Sequence, residues 1–321
     1  MSAIDDALIG LEPGQDEEFE ILAELSDEET TAWDKIRGQI ERREMTLSFS
    51  KIKAFSKSPF HFVRYMLARE LKRDDGTPAQ IFGDYFDCIT TTPDETKDRF
   101  VEEPKAAMNR KDGCQTLVSF YEELMNCEFV AKTVPEMQAA IKTARIECGK
   151  RVVTADQKKL AEALKNRLYR NDAAGRLMNR LTSTQVSVEF PAFGWNWKGK
   201  FDGESDTEVI DLKLMMQDAG FHAAQYNMRK LKYAWQGALY TIGARQGKKR
   251  FYNICLDGSL GVTVIHINRH ELIKAWNQIE ECVTEFERCI YEGLDDPGIW
   301  FSSYDFFAPR NGVYEFGTYD Y

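Results

Sequence analysis

Long apolar runs are missing from this chain. No stretch of its 321 residues approaches the ~20 consecutive apolar residues needed to cross a bilayer, so no membrane span is expected. The N-terminal MSAIDDALIGLEPGQDEE shows no basic stretch leading into an apolar one, and no secretory signal is read there. Histidine is scarce, with four in all. The seven cysteines (88, 114, 127, 148, 255, 282, 289) form no CxxC pair and no compact cluster. That pattern suggests free buried thiols in a reducing compartment and gives no zinc-ligand spacing. A Walker lysine loop and a Gly-x-Ser-x-Gly elbow are absent too, so neither ATP use nor serine-hydrolase chemistry is expected.

A net charge of -10 taken over the whole chain disfavours a polyanionic partner, but the excess is local. Residues 1–44 hold 14 of the 52 acids and 4 of the 42 lysines and arginines, which leaves 38 of each from residue 45 on. The acidity therefore belongs to one extension, over residues 1–45, and a DNA partner remains open for the rest. Within the extension, Ile21, Leu22 and Leu25, and then Trp33, Ile36 and Ile40, give weak helical spacing that suggests short helices. It reads either as a solubilising, partly disordered tail or as a segment that docks a partner or covers a DNA groove.

From residue 46 the pattern is first helical. LSFSKIKAF and SPFHFVRYM suggest two short helices broken at Ser58-Pro59, with Ser48 or Ser50 as a cap. IFGDYFDCIT predicts another helix, and residues 115–147 and 155–182 are helix-rich. Then the period changes. TQVSVEFPAF, WNWKGKFDG, TEVIDLKLM, RFYNICLD and VTVIHIN read as strands. A single helix is expected over His222–Ala244, another closes at residues 270–293, and an aromatic tail follows over residues 294–321. The expected fold class is α/β: a mixed central sheet flanked by helices (residues 183–293) behind a helix-rich front (residues 46–182).

The chemistry concentrates in GKFDGESDTEVIDLKL. Strand residues alternate faces, so Val209, Asp211 and Lys213 share one face and Ile210, Leu212 and Leu214 the other. Asp202 ends the preceding strand, and the turn at 203–207 lets Asp202 and Asp211 lie side by side. Two buried carboxylates repel each other, and a divalent cation is the simplest compensation. Hard oxygen ligands suit Mg²⁺ or Mn²⁺, and Lys213 is placed to orient a water and counter phosphate charge. Acid-x-Lys triplets also occur at Glu70–Lys72, Glu95–Lys97, Glu103–Lys105 and Asp156–Lys158, but none of those has a strand-like run with an Asp closing the strand before it.

FDGESDTEVIDLKL resembles the core motif of the PD-(D/E)xK nucleases. The ordered pieces LSFSKIKAFSKSPFHF, FGDYFDCIT, RVVTADQKKLAEAL with NDAAGRLM, and YAWQGALY are similar to the RecB/RecE-like branch, which includes the phage exonuclease VIII-like enzymes. The resemblance, with gaps, runs from about residue 46 to 300. It implies a restriction-endonuclease-like core. Asp202 and Asp211 match the metal-binding acids, Lys213 the catalytic lysine, and the Leu212 carbonyl a backbone metal ligand. Glu189 matches an upstream supporting acid, and Gln236 and Tyr240 a helix facing the site and the DNA end. Where the branch carries a His four residues after Gly83, this chain has Asp87, which can also ligate a hard cation. His61 is a possible substitute that reads better as a helix-surface residue.

The residues themselves add Tyr226, Tyr233 and Tyr240 at seven-residue spacing, either an aromatic stripe packed on the sheet or, with Gln236, a surface facing the scissile nucleotide. Arg229, Lys230 and Lys232 on that helix, and Lys248, Lys249 and Arg250 in the loop RQGKKR, are candidate phosphate contacts. The resemblance further implies one or two Mg²⁺ (or Mn²⁺) ions, linear double-stranded DNA cut 5′-to-3′ to leave 3′ single strands, a homo-oligomeric ring (trimer or tetramer), a single-strand annealing partner, and the cytoplasm of a bacterial or phage-infected cell. Some relatives carry an iron–sulfur cluster held by an early Cys and a late trio. Here only Cys282 and Cys289 are late neighbours, so no cluster is expected. Two alternatives stand: a catalytically weak nuclease-fold protein that binds DNA ends or a recombination partner, and a single-strand or structure-specific nuclease.

Overall fold

The computed structural model describes residues 25–71, 77–215 and 218–302. The helical front comprises α1 (Asp27–Glu41), α2 (Phe49–Phe55), α3 (Pro59–Glu70), α4 (Pro78–Thr91), α5 (Lys111–Met125), α6 (Val134–Glu147), α7 (Ala155–Arg170) and α8 (Asp172–Met178). Between them β1 (Phe100–Glu103) pairs in parallel with β2 (Arg151–Thr154). These four-residue strands are too short to show alternation, and the sequence pattern marked no element at either. The caps are local and legible. Ser58 and Thr77 each accept an N–H from the first turn, Pro59 and Pro78 occupy first helical positions, and Thr77 with Gln80 forms a capping box.

The core is a five-stranded sheet in the order β3 (Ser183–Ala192), β4 (Trp195–Glu204), β5 (Glu208–Met215), β6 (Arg250–Asp257), β7 (Val262–Ile267). Only β5 and β6 run parallel, and their crossover carries α9 (Phe221–Lys230) and α10 (Tyr233–Ala238). The last helix, α11, spans Arg269–Glu292. Alternation along the central strands sends side chains into two cores. Trp197, Phe201, Val209 and Phe251 pack with α1, α2, α3, α10 and α11. Ile210, Leu212, Ile254 and Leu256 pack with α4, α7 and α8.

Part of the acidic extension is folded. Trp33, Ile36 and Ile40 of α1 are buried in the first core, and Trp33 meets Trp300 edge-on with ring centroids 5.5 Å apart. The rest of the extension, residues 1–24, and the tail beyond 302 lie outside the described residues. The helix expected over His222–Ala244 is instead broken. Lys232 takes a left-handed φ of 55°, α10 restarts behind it, and a π-turn covers Leu239–Gly243. The break turns the Lys232 ammonium onto Ser56 Oγ at 2.8 Å and over the Trp235 ring, which offsets the backbone strain.

Among the described residues no helix is long and apolar enough to cross a membrane. Five cysteines are buried, Cys148 is partly exposed and Cys127 is exposed. Cys282 and Cys289 pack inside the first core.

Candidate active site

The site lies in a fork between β4 and β5. Their ladder holds two pairs, Gly203↔Ile210 and Glu204↔Val209. Beyond them the strands part, and a carboxylate takes the place of the backbone acceptor: Asp202 Oδ2 accepts the Leu212 N–H at 2.6 Å. Its other oxygen accepts from Gln185 Nε2 at 3.3 Å, and the same amide donates to Thr91 Oγ1 at 2.9 Å. Gln185 stands opposite Asp202 with a left-handed φ of 51°. Sequence reasoning missed this residue, because its role depends on a backbone conformation and on the end of α4.

Asp211 is 3% exposed. Gln236 Nε2 donates to its Oδ1 at 2.9 Å, and Lys213 Nζ lies 2.5 Å from its Oδ2. Lys213 in turn lies over the Tyr233 ring, 4.7 Å from its centroid. Gln236 also donates to the Tyr240 hydroxyl at 3.0 Å, and that hydroxyl donates to the Lys200 carbonyl at 2.7 Å. Gly199 makes this possible: a Cβ there would lie 2.6 Å from the Tyr240 ring.

Electrostatics bring in Asp87 from α4. Burial, then the charges of Asp202 and Asp211, hold its carboxyl well above the usual range. Burial and then Asp211 raise Asp202 to about 7, against the opposing pull of Lys213, the Leu212 N–H and Gln185. Burial also raises Asp211, with Lys213 opposing. Burial works against the Lys213 ammonium, but Asp211, Tyr233 and Asp202 outweigh it and its pKa rises. Three acids thus face one lysine in a low-dielectric fork, an excess of negative charge that favours a bound cation. Among the described residues no three His, Cys, Asp or Glu side chains are gathered tightly enough to form a metal cluster. The donor set nevertheless fits a divalent ion: hard carboxylate oxygens, with Gln236 Oε1 buried and unpartnered beside Asp211.

The structure therefore brings together Asp87, Asp202, Asp211, Leu212, Lys213, Tyr233 and Gln236. Other expected residues lie elsewhere or face another way. Glu189 is exposed opposite Lys198, four residues along β3 from Gln185 and so roughly 13 Å away at strand spacing. Tyr240 is 5% exposed with its hydroxyl turned inward, so it supports Gln236 and presents no face to DNA. His61 lies exposed on α3, held to Ser58 Oγ.

The basic loop is also largely spoken for. Lys249 and Arg245 bind Glu204, and Arg250 binds Glu208. Arg250 pairs with Glu208 at the start of β5, five residues and roughly 17 Å from Lys213. Those pairs pin the β4–β5 turn, and Lys248 alone of the three named lysines and arginines there has no ion pair among the described residues. Arg229 and Lys230 are exposed on α9, with Lys230 5.9 Å from the Tyr226 ring centroid. One lysine the sequence reading passed over, Lys53 of α2, feels the charges of Lys57, Lys213 and Lys232. Burial and then these neighbouring cations lower Lys53 to about 8.

Compared with known proteins, residues 48–293 match the PDDEXK-like domain of unknown function (DUF3799). No curated protein sequence matches the chain. Among solved structures, a Eubacterium rectale protein provisionally described as an exonuclease is similar at 19% identity over 84% of this chain and 87% of that one, with a TM-score of 0.48. The alkaline exonuclease LHK-Exo of Laribacter hongkongensis is similar at 15% identity over 56% of this chain and 92% of its own, with a TM-score of 0.30. Its complex with dAMP gives 17% identity over 57% and 93%, with a TM-score of 0.28.

Proposed function

This chain belongs to the PDDEXK-like family, and from that premise we propose that it is a metal-dependent exonuclease acting on the ends of linear double-stranded DNA. The observation that carries the reading is the fork itself: Asp211 buried, with Asp87 and Asp202 partly buried beside it, against one lysine. Asp202, Asp211 and the Leu212 carbonyl, with Asp87, would hold one or two Mg²⁺ or Mn²⁺ ions. A bound ion supplies positive charge to the phosphate and lowers the pKa of water at the site.

The protein's own groups do the rest. Lys213 orients the attacking water and counters phosphate charge, held in place by Asp211 and the Tyr233 ring. Gln236 fixes Asp211, while Gln185 and the Leu212 N–H fix Asp202, so both acids are preorganised. Arg229, Lys230 and Lys232 are the proposed phosphate contacts. In this reading digestion runs 5′-to-3′ and leaves 3′ single strands for an annealing partner in the cytoplasm, with the subunits in a trimeric or tetrameric ring around the DNA.

The test is digestion of end-labelled linear duplex with Mg²⁺, beside Ca²⁺ and EDTA controls and the Lys213→Ala protein. Mononucleotide release from the 5′ label, lost in the variant, is the expected result. Ready cutting of closed circles would refute end dependence. One observation favours a second reading, a DNA-end binder with little catalysis: Asp87 adds a third negative charge where the resembling branch has a His. Undiminished duplex binding with no cleavage by either protein would select it.

A further inference from the structure

Asn253 on β6 is fully buried, and neither its Oδ1 nor its Nδ2 has a hydrogen-bond partner. A buried primary amide with both ends unpaired is costly, and each such group calls for an explanation. Its position supplies one. In the parallel β5–β6 pair Asn253 is the register partner of Asp211, so the two side chains stand on one face, with strands about 4.8 Å apart. One pleat back, Phe251 packs under Gly237, the neighbour of Gln236. One pleat ahead, the Cys255 thiol is raised by burial and still feels Lys213 and Asp211. Asn253 thus lies beneath the helix that delivers Gln236, whose Oε1 is the other unpartnered amide atom beside Asp211. Two buried amides with unused capacity flank one carboxylate.

We propose that Asn253 is a positioning residue of the active site. With Gln236 Oε1 it holds an ordered water behind Asp211 and so fixes the carboxylate's orientation toward the cation. This rests on the proposed nuclease reading. Its chemistry differs from a packing role in one respect that can be measured. If Asn253 only filled space, an apolar side chain of similar size would serve as well or better, because it removes two unpaired polar atoms. If it positions Asp211 through a shared water, the same change removes that water's hydrogen bonds and damages the site.

The experiment compares wild type, Asn253→Leu and Asn253→Ser. In EDTA, the unfolding midpoint of Asn253→Leu is expected to fall below that of wild type, because Gln236 Oε1 and Asp211 lose the water that Asn253 holds. With Mg²⁺, the concentration giving half-maximal stabilisation should rise about 10-fold or more, the usual scale for losing a ligand's supporting group. Digestion of linear duplex at saturating Mg²⁺ should fall by a similar factor, while duplex affinity in Ca²⁺ stays within about two-fold. Asn253→Ser, which keeps a hydroxyl and leaves room for water, should recover most of the Mg²⁺ response. A Leu variant with wild-type Mg²⁺ dependence overturns the proposal, as does a Leu variant more stable than wild type in EDTA. Should no variant cleave DNA, the nuclease reading fails separately, and the Mg²⁺-dependent midpoint still decides the role of Asn253.

Discussion

Replacing Asp202 by Asn should make the metal-free protein more stable at pH 8 while abolishing its activity. Folded Asp202 keeps its proton up to about pH 7, whereas an unfolded aspartate releases it near 3.8. The folded state therefore binds more protons in that window, and stability is lost as pH rises from about 4 to 7. The full rise corresponds to about 4 kcal/mol, at roughly 1.36 kcal/mol per pH unit. Asp87 and Asp211 share the repulsion and can relax when one charge goes, so about half, ~2 kcal/mol, is the expected gain. In a chain of this size that is an unfolding midpoint higher by about 4 °C. Asn can still accept the Leu212 N–H, so the fork keeps that anchor.

The assay is thermal unfolding in EDTA at pH 8 and pH 4, repeated at pH 8 with Mg²⁺. The variant's advantage should be present at pH 8 and gone near pH 4. Mg²⁺ should stabilise wild type and leave the variant nearly unmoved. An Asn variant less stable than wild type at pH 8 in EDTA, or an advantage that ignores pH, would show that the acids are not crowded and would remove the argument for a cation.

Other variants probe separate parts of the site. Gln236→Ala leaves Asp211 Oδ1 without its donor and should cost about 1–3 kcal/mol in urea unfolding. A loss under half that would mean solvent already serves the carboxylate. The double variant Arg229→Ala/Lys230→Ala should weaken duplex binding in Ca²⁺ and flatten the log affinity against log salt slope by roughly 2. Lys249→Ala should leave that slope unchanged, since its ammonium is committed to Glu204; equal effects from both would put the basic loop back on the DNA. Trp33→Ala should destabilise the whole fold by about 3–5 kcal/mol, measured by equilibrium unfolding, because its ring is packed in the first core. A truly detached acidic extension would lose nothing.

Much of the architecture was legible because it is written in local patterns. The five strands fell where period-two alternation and β-branched runs put them, and the α2–α3 break followed from Ser58-Pro59. The face shared by Asp211 and Lys213, opposite Ile210 and Leu212, followed from alternation alone. The failures share one cause. A helix continuing through Lys232 was the better local guess, but tertiary contacts with Ser56 and Trp235 favour a left-handed residue there. Tyr240 and Gln236 fall on one helix face in sequence, yet only the close approach allowed by Gly199 shows that the tyrosine turns inward.

By itself the sequence determined which residues carry charge in a strand otherwise fit for burial, and hence that Asp202, Asp211 and Lys213 lie together. That follows from strand periodicity and the cost of burying unpaired charge, both local rules. Only the tertiary structure decided what surrounds them. Asp87, Gln185, Gln236 and Asn253 come from α4, β3, α10 and β6, brought together because both faces of one sheet had to be covered. It also decided that Glu204 and Glu208 neutralise the basic loop while Arg229 and Lys230 remain exposed. Charge in a sequence has a sign and a position along the chain, but whether it is spent on a neighbour or left for DNA depends on distances that only the packed fold sets.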